Sequence, residues 1–487
     1  MGYNKHVLAL ACAAAVGLAS PVLQAKNAND NQGKGIGWGV NKDLVRDHDS
    51  REFTVAEDLS FDAQPGASAY SGTYEGVQGP AVYAAEIPDG WDGDGLVMYT
   101  HGYRGEGETL GVSVPDLAWR ATVLAAGYAW AASSYSANYY DVRAGIEDTN
   151  KLALEVMDYI EADFDTGYLA PDQILISGYS LGGHTAAAAV DRENMERTAY
   201  PVNYEGALPF CQAEQNQFQW LGDYTRVIQE LSGFGDTPPE EYQDTLPSML
   251  VALFETDGGG NITWEPANQN GERAKQIAMD LTGGERPIFF DHGFPNPGLQ
   301  YAVLGTGGRE GDINGILARN YYDNTDRVYR WTDGPRFTGQ ERAFTAKVGR
   351  FQADLGVNPL QDDGVRWLPL VQGDFDVPVL TMHTLGDFYV PFVHQQLYRE
   401  GAIENGAEDL LVQRAIRAPS HCDFTASEIS TALVDWLSWV NEGEAAKPDG
   451  DEVLDPAVVA DPEYGCKFTV NDGTQGRAAL GLPPCGS

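Results

Sequence analysis

Short apolar runs alternate with amphipathic stretches over two parts of the chain, and the alternation stops between them. Alternating positions at Ala69 to Tyr74 and Ala81 to Ile87, bounded by Gly, Pro or Asp, predict the opening strands of a sheet. Gly95 to Thr100 reads as a buried strand, Pro115 to Ala126 as a helix and Tyr128 to Ser134 as another strand. Leu152, Ala153, Val156, Met157 and Ile160 fall at helical spacing within Ala144 to Phe164, and Pro171-Asp172 ends that stretch ahead of a strand from Ile174. A small-residue helix through Ala186 to Ala189 and a strand over Glu205 to Phe210 follow. Strand–helix alternation of this kind predicts a mostly parallel sheet covered on both faces. Residues 213–371 then hold helical patterns (Phe218 to Leu231, Ser248 to Glu255, Glu272 to Leu281, Gln340 to Leu355) separated by Gly- and Asp-rich loops. The strand rhythm returns at Val377 to His383 and Leu410 to Gln413, and Thr425 to Val440 closes as a helix. The interruption reads as a cap inserted before the last two strands of one sheet.

The strand from Ile174 runs into Gly178-Tyr179-Ser180-Leu181-Gly182-Gly183-His184 and the helix after it. A G-x-S-x-G between strand and helix is the context of a nucleophile elbow, where glycines leave room for a strained turn that exposes the serine. A serine hydroxyl needs a neutral imidazole to take its proton and a carboxylate to orient that imidazole, here in the order Ser, acid, His at the ends of the last two strands. Leu385-Gly386-Asp387 follows one of these strands and Ala418-Pro419-Ser420-His421-Cys422 the other, so Ser180, Asp387 and His421 are the expected nucleophile, carboxylate and base. His184, one turn along the helix, His383, inside a strand, and His394 are read as structural. Asp374 and Asp376 precede the strand, and Asp423 stands too close to His421 to orient it. The backbone N–H groups of Leu181 and Tyr103, the latter after a strand-closing His101-Gly102, are the expected oxyanion donors.

Composition narrows the setting. Lys5 and His6 precede an apolar run from Val7 to Ala19, which reads as a secretory signal over residues 1–25, cleaved after Ala19 or Ala25. Cys12 lies inside it. No later run is long enough to span a bilayer, so a secreted or periplasmic protein is expected. Residues 26–69 read as an N-terminal arm. With 71 acidic against 31 basic residues the net charge is −40, which argues against nucleic acid and anionic membranes as partners. Four cysteines remain beyond the signal, Cys211, Cys422, Cys466 and Cys485, and an even count in an exported chain favours two disulfides with three possible connectivities. Cys466 and Cys485 are close in a tail, 443–487, that has little core of its own. Pairing them leaves Cys211, at the same sheet edge as the elbow, to staple the loop of His421 through Cys422; the alternative is that these two are free thiols. No zinc spacing is present, and Asp92-Gly-Asp94 and Asp449-Gly-Asp451 begin but do not continue a calcium loop. Asn261-Ile262-Thr263 is a glycosylation sequon. No cofactor and no metal are expected, and the oligomeric state is not legible. Trp220, Tyr224, Trp264, Tyr321, Tyr322, Tyr329 and Trp331 read mostly as cap core, about a third of them as pocket lining.

Taken together, Pro88 to Tyr103, Gly178 to Gly183, Gly386-Asp387 with Val390-Pro391, and Ser420-His421-Cys422 resemble exported bacterial α/β-hydrolases of the serine esterase and lipase type. The resemblance covers residues 70–212 and 372–442. It implies the α/β-hydrolase fold, with helices on both faces of a mostly parallel sheet, and hydrolysis of a small or polymeric carboxylic ester through an acyl-enzyme. The His421-Cys422 pair is also similar to secreted tannase and feruloyl-esterase-like enzymes, in which that cysteine is disulfide-bonded to one just before the nucleophile. Here that position is Tyr179. A serine peptidase using the same three residues, and a non-catalytic binding protein on this fold, are the alternative readings.

Overall fold

The computed structural model describes residues 52–307, 321–332, 336–360, 364–470, 477, 481, 482 and 485. The signal at 1–25 with Cys12, and the arm up to residue 51, lie outside the described residues. The first part of the chain forms β1 (Thr54–Val55), β2 (Ala67–Gly76), β3 (Gly79–Pro88), β4 (Gly95–Thr100), β5 (Thr109–Leu110), α1 (Leu117–Ala125), β6 (Ala129–Ser133) and α2 (Val142–Phe164). It continues through β7 (Gln173–Tyr179), α3 (Leu181–Ala189), α4 (Arg192–Arg197) and β8 (Ala207–Phe210). An insertion follows, with α5 (Gln217–Ser232), α6 (Pro239–Leu253), β9 (Phe254–Thr256), β10 (Ile262–Pro266), α7 (Gln269–Leu281), a π-turn over Phe289–Gly293, α8 (Pro297–Gly307) and α9 (Gly339–Thr345). The chain closes with β11 (Val379–Thr384), α10 (Val393–Asn405), β12 (Leu411–Ile416), α11 (Ala426–Glu442) and α12 (Pro456–Val459).

Eight strands form one sheet in the order β12-β11-β8-β7-β4-β6-β3-β2. From β6 to β12 every pairing is parallel, and β3 runs antiparallel to both its neighbours. The parallel strands are apolar on both faces because helices cover both. Leu96, Met98, Ala129, Ala131 and Ile176 pack with α2 and α3, whereas Val97, Tyr99, Trp130, Ala132 and Leu175 pack on the other face with Trp119 of α1 and Trp436 of α11. A polar group in this core is paired: Glu86 of β3 accepts from Arg120 Nε and Nη2 (2.8 and 3.0 Å) and from Trp130 Nε1 (2.8 Å). Asp141 caps α2 by accepting from Ala144 N–H.

The mostly parallel sheet with helices on both faces is as expected, with two refinements. An antiparallel β9–β10 hairpin stands inside the mainly helical insertion. The helix expected over Gln340 to Leu355 ends at Thr345, because the following chain bonds elsewhere: Phe351 N–H donates to Asn324 Oδ1 and Asn324 N–H to Phe351 O, while Arg350 takes the carbonyl of Thr345. The insertion has its own apolar core, built on Phe218, Trp220, Tyr224, Met249, Trp264 and Ile277, and this core includes Phe388 from the loop after β11. The expected cap aromatics Trp220, Tyr224, Trp264, Tyr322 and Tyr329 are all buried; Tyr321 and Trp331 are partly exposed.

Candidate active site

β7 delivers Ser180 through a turn that only small neighbours allow. Ser180 has φ 61° and ψ −119°, in the left-handed half of backbone space, and stands at the N-terminus of α3. A Cβ on Gly178 would lie 2.3 Å from Thr100 O, and one on Gly182 2.0 Å from the same atom, so the end of β7 and the start of α3 press directly on the end of β4. Thr100 Oγ1 closes this contact by donating to Gly182 O at 2.7 Å.

Two loops on the same sheet edge meet the serine. His421 Nε2 lies 2.7 Å from Ser180 Oγ, and His421 Nδ1 lies 2.5 Å from Asp387 Oδ2. The carboxylate orders the rest: Nδ1–H donates to Asp387, which leaves Nε2 to accept the serine proton. The other Asp387 oxygen accepts the backbone N–H groups of Tyr389 and Val390, each at 2.9 Å, so the carboxylate cannot rotate away. Asp387 is fully buried. Residues 385–389 are held in turn by Leu385 N–H to Ile416 O and Gly386 N–H to Ala418 O, which tie this loop to the one bearing His421. Thr384 Oγ1 donates to Ser420 O at 2.7 Å.

The three residues expected to form the chemical centre are thus together, and the competing residues are engaged in bonds of their own. His184 is fully buried and accepts from Tyr140 Oη while donating to Pro369 O; burial takes its pKa down to about 4. His383 Nε2 donates to Val390 O and His394 lies between Glu214 and Gln217, with burial lowering them to about 4 and about 3. Asp374 pairs with Arg192 and Asp423 lies beside Arg477. The Leu181 N–H opens α3, where the helix field favours an anion. Tyr103 follows Gly102, on which a Cβ would stand 3.4 Å from Ser180 Cβ, so the chain leaving β4 passes directly beside the elbow. His101 itself is structural: burial lowers it to about 3 and it stacks on Tyr135 at 4.0 Å.

Both disulfides are present, Cys211–Cys422 and Cys466–Cys485. The first departs from the tannase-like pattern in an instructive way. Tyr179, before the nucleophile, stacks on Phe210 of the neighbouring strand at 4.6 Å, and the cysteine sits one residue beyond Phe210 instead. The bridge to Cys422 therefore starts from β8 rather than β7. Three insertion residues grip the loop of Asp387: Gln217 and Arg286, which reading the sequence alone missed, and Trp220, which it gave only as a cap-core or pocket aromatic. They stand roughly 100 residues or more before it, and no local pattern links them.

No protein-family model matches the chain. The o-phthalyl amidase of Xanthobacter agilis is 31% identical over 439 residues, an alignment that takes in 80% of this chain and 92% of that protein. Among solved structures, feruloyl esterase B from Aspergillus oryzae is similar at 13% identity, over 80% of this chain and 82% of its own, with a TM-score of 0.43. The rice cell wall degrading esterase LipA from Xanthomonas oryzae is similar at 12% identity, over 78% of this chain and 88% of its own, with a TM-score of 0.34.

Proposed function

We propose that this chain, which belongs to the same family as the o-phthalyl amidase of Xanthobacter agilis and is an α/β-hydrolase, is an exported serine hydrolase that cleaves carboxylic esters through an acyl-enzyme. The observation that carries the reading is the continuous hydrogen-bonded line from Ser180 Oγ through the His421 ring to a buried Asp387. In this reading Ser180 Oγ attacks the ester carbonyl carbon while His421 Nε2 takes its proton. The oxyanion that develops is held by the N–H groups of Leu181 and Tyr103, a contribution typically worth about 10²–10³ in rate per donor. Collapse breaks the C–O bond, and the alcohol leaves with the proton from Nε2. Water then attacks the acyl-serine, His421 takes a proton from it, and the free acid and Ser180 are restored. Residues 213–371 act as a cap over this centre.

The experiment is direct. Ser180→Ala should abolish turnover of p-nitrophenyl esters and leave the melting temperature near that of the parent, and a fluorophosphonate should label Ser180. Label at another serine, or full activity in the alanine variant, would sink the assignment. A second reading, amide hydrolysis by the same groups, is favoured by the name of the amidase relative. A panel of esters run beside aryl amides with matched acyl groups separates the two by their kcat/KM values.

A further inference from the structure

The loop carrying Asp387 is gripped from the insertion at three carbonyls. Arg286 Nε donates to Leu385 O at 2.8 Å, Trp220 Nε1 to Phe388 O at 3.2 Å and Gln217 Nε2 to Tyr389 O at 2.6 Å. The π-turn adds a backbone contact, since a Cβ on Gly293 would stand 2.1 Å from Gly386 O. Of the three donors Arg286 alone is charged, and it is 3% exposed. Its other bonds, to Gly284 O and Thr282 Oγ1, also end on uncharged oxygens, and its plane lies over Phe289 at 4.0 Å. Burial pulls its pKa down to about 9, and the anion that most opposes this is Asp387. Burying a cation without a bonded carboxylate is costly, so its position calls for a use.

The groups around Asp387 point to that use. From β11 comes His383, whose Nε2 is 4.0 Å from Oδ2; from α10, His394; from the loop before α11, His421; from the insertion, Arg286. Burial keeps His383 and His394 neutral at pH 7. Beside these two neutral rings, Arg286 carries a positive charge at pH 7. We propose that Arg286 is a positioning residue for the reaction: through Leu385 O it sets the turn that aims Asp387 at His421, and its charge offsets the buried carboxylate. The insertion is then part of the frame of the catalytic centre as well as a cover over it. This inference rests on the reading of Ser180, His421 and Asp387 as a triad.

The test uses the full-length protein and p-nitrophenyl acetate. Arg286→Met should lower kcat about tenfold or more with KM changed less than about threefold, the pattern of a lost transition-state contribution. Without the cation, Asp387 acts on the imidazole unopposed and favours its protonated form, so the acid limb of kcat/KM should move to higher pH. Arg286→Lys, which keeps the charge but not the fork, should hold the limb in place and recover only part of kcat. A folded Arg286→Met with parental kcat and an unmoved limb, or a loss confined to KM, overturns the role. If Arg286→Met does not fold, Arg286→Lys decides alone: lowered kcat with the limb in place supports the role, parental kcat overturns it. Asp387→Asn run in parallel separates the two claims. Parental activity there means that the triad reading has failed; an inactive Asp387→Asn beside an unimpaired Arg286→Met means that only the role of Arg286 has.

Discussion

At Gly182 a single hydrogen atom stands where any side chain would strike the end of β4. The would-be Cβ lies 2.0 Å from Thr100 O and 2.7 Å from His101 O, both backbone atoms that cannot swing aside. The helix must come this close for Ser180 to hold its φ of 61° with Oγ at the tip. Gly182→Ala should therefore displace α3 from β4, lowering stability by at least about 2 kcal/mol and kcat with it. Urea unfolding and ester turnover measure both, and a variant matching the parent in the two would show that the turn is freer than its contacts indicate. The same residue scale explains why the elbow was legible in the sequence. Gly178, Ser180 and Gly182 are close neighbours, and the steric demand that couples them acts within one turn of chain. Nothing comparable marks Arg286, whose partner Leu385 stands 99 residues away.

Among the elements, the loop between β12 and α11 carries His421 of the proposed chemistry and has no helix or strand of its own. It is pinned by the Cys211–Cys422 bridge, by Thr384 Oγ1 on Ser420 O, and by Arg477, which donates to Asp423 O and forms a fork on Glu428 at the N-terminus of α11. Cys211 and Cys422 both have positive φ, 42° and 51°, so each cysteine sits in a turn that the surrounding structure must maintain. Replacing both cysteines by serine should cost about 2–5 kcal/mol of stability and lower kcat more than it raises KM, because His421 is then less well held. Denaturant titration and steady-state kinetics check this; unchanged kcat with lowered stability would confine the bridge to a folding role.

Over the whole molecule, the C-terminal tail covers the end of the sheet. β12 is an edge strand, and its outward groups are taken up by the tail: Asp451 N–H donates to Gln413 O, Ala415 N–H to Asp451 Oδ2 and Arg417 N–H to Thr469 Oγ1. Gly450 lies so near that a Cβ would be 2.9 Å from Gln413 O. An uncovered edge invites pairing with another chain, so removing residues 443–487 should produce concentration-dependent aggregates seen by light scattering. A truncated protein that stays monodisperse at the parental melting temperature would mean that the tail is dispensable for the edge. No helix among the described residues is long and apolar enough to cross a membrane.

The sequence by itself marked the strands of the sheet core, the glycine-flanked turn at Ser180, and the loops after the last two strands that carry Asp387 and His421. These depend on the two-residue and 3.6-residue periods and on motifs a few residues long, which local sterics and burial impose wherever they occur. The sequence also favoured Cys466–Cys485 and, through the place of Cys211 beyond the strand next to the elbow, Cys211–Cys422 over free thiols, and both bridges are present. Only the tertiary structure decided that the helix from Gly339 stops at Thr345, since the competing bonds come from Asn324 and Arg350 folded across it. It alone decided that Trp220, read from sequence as one of a set of core or pocket aromatics, packs on Phe388 and bonds its carbonyl. Likewise it placed Arg286 on the carbonyl of Leu385, two residues before Asp387. Long-range packing brings such groups together, and a chain carries no local pattern for contacts that burial and charge select among many distant partners.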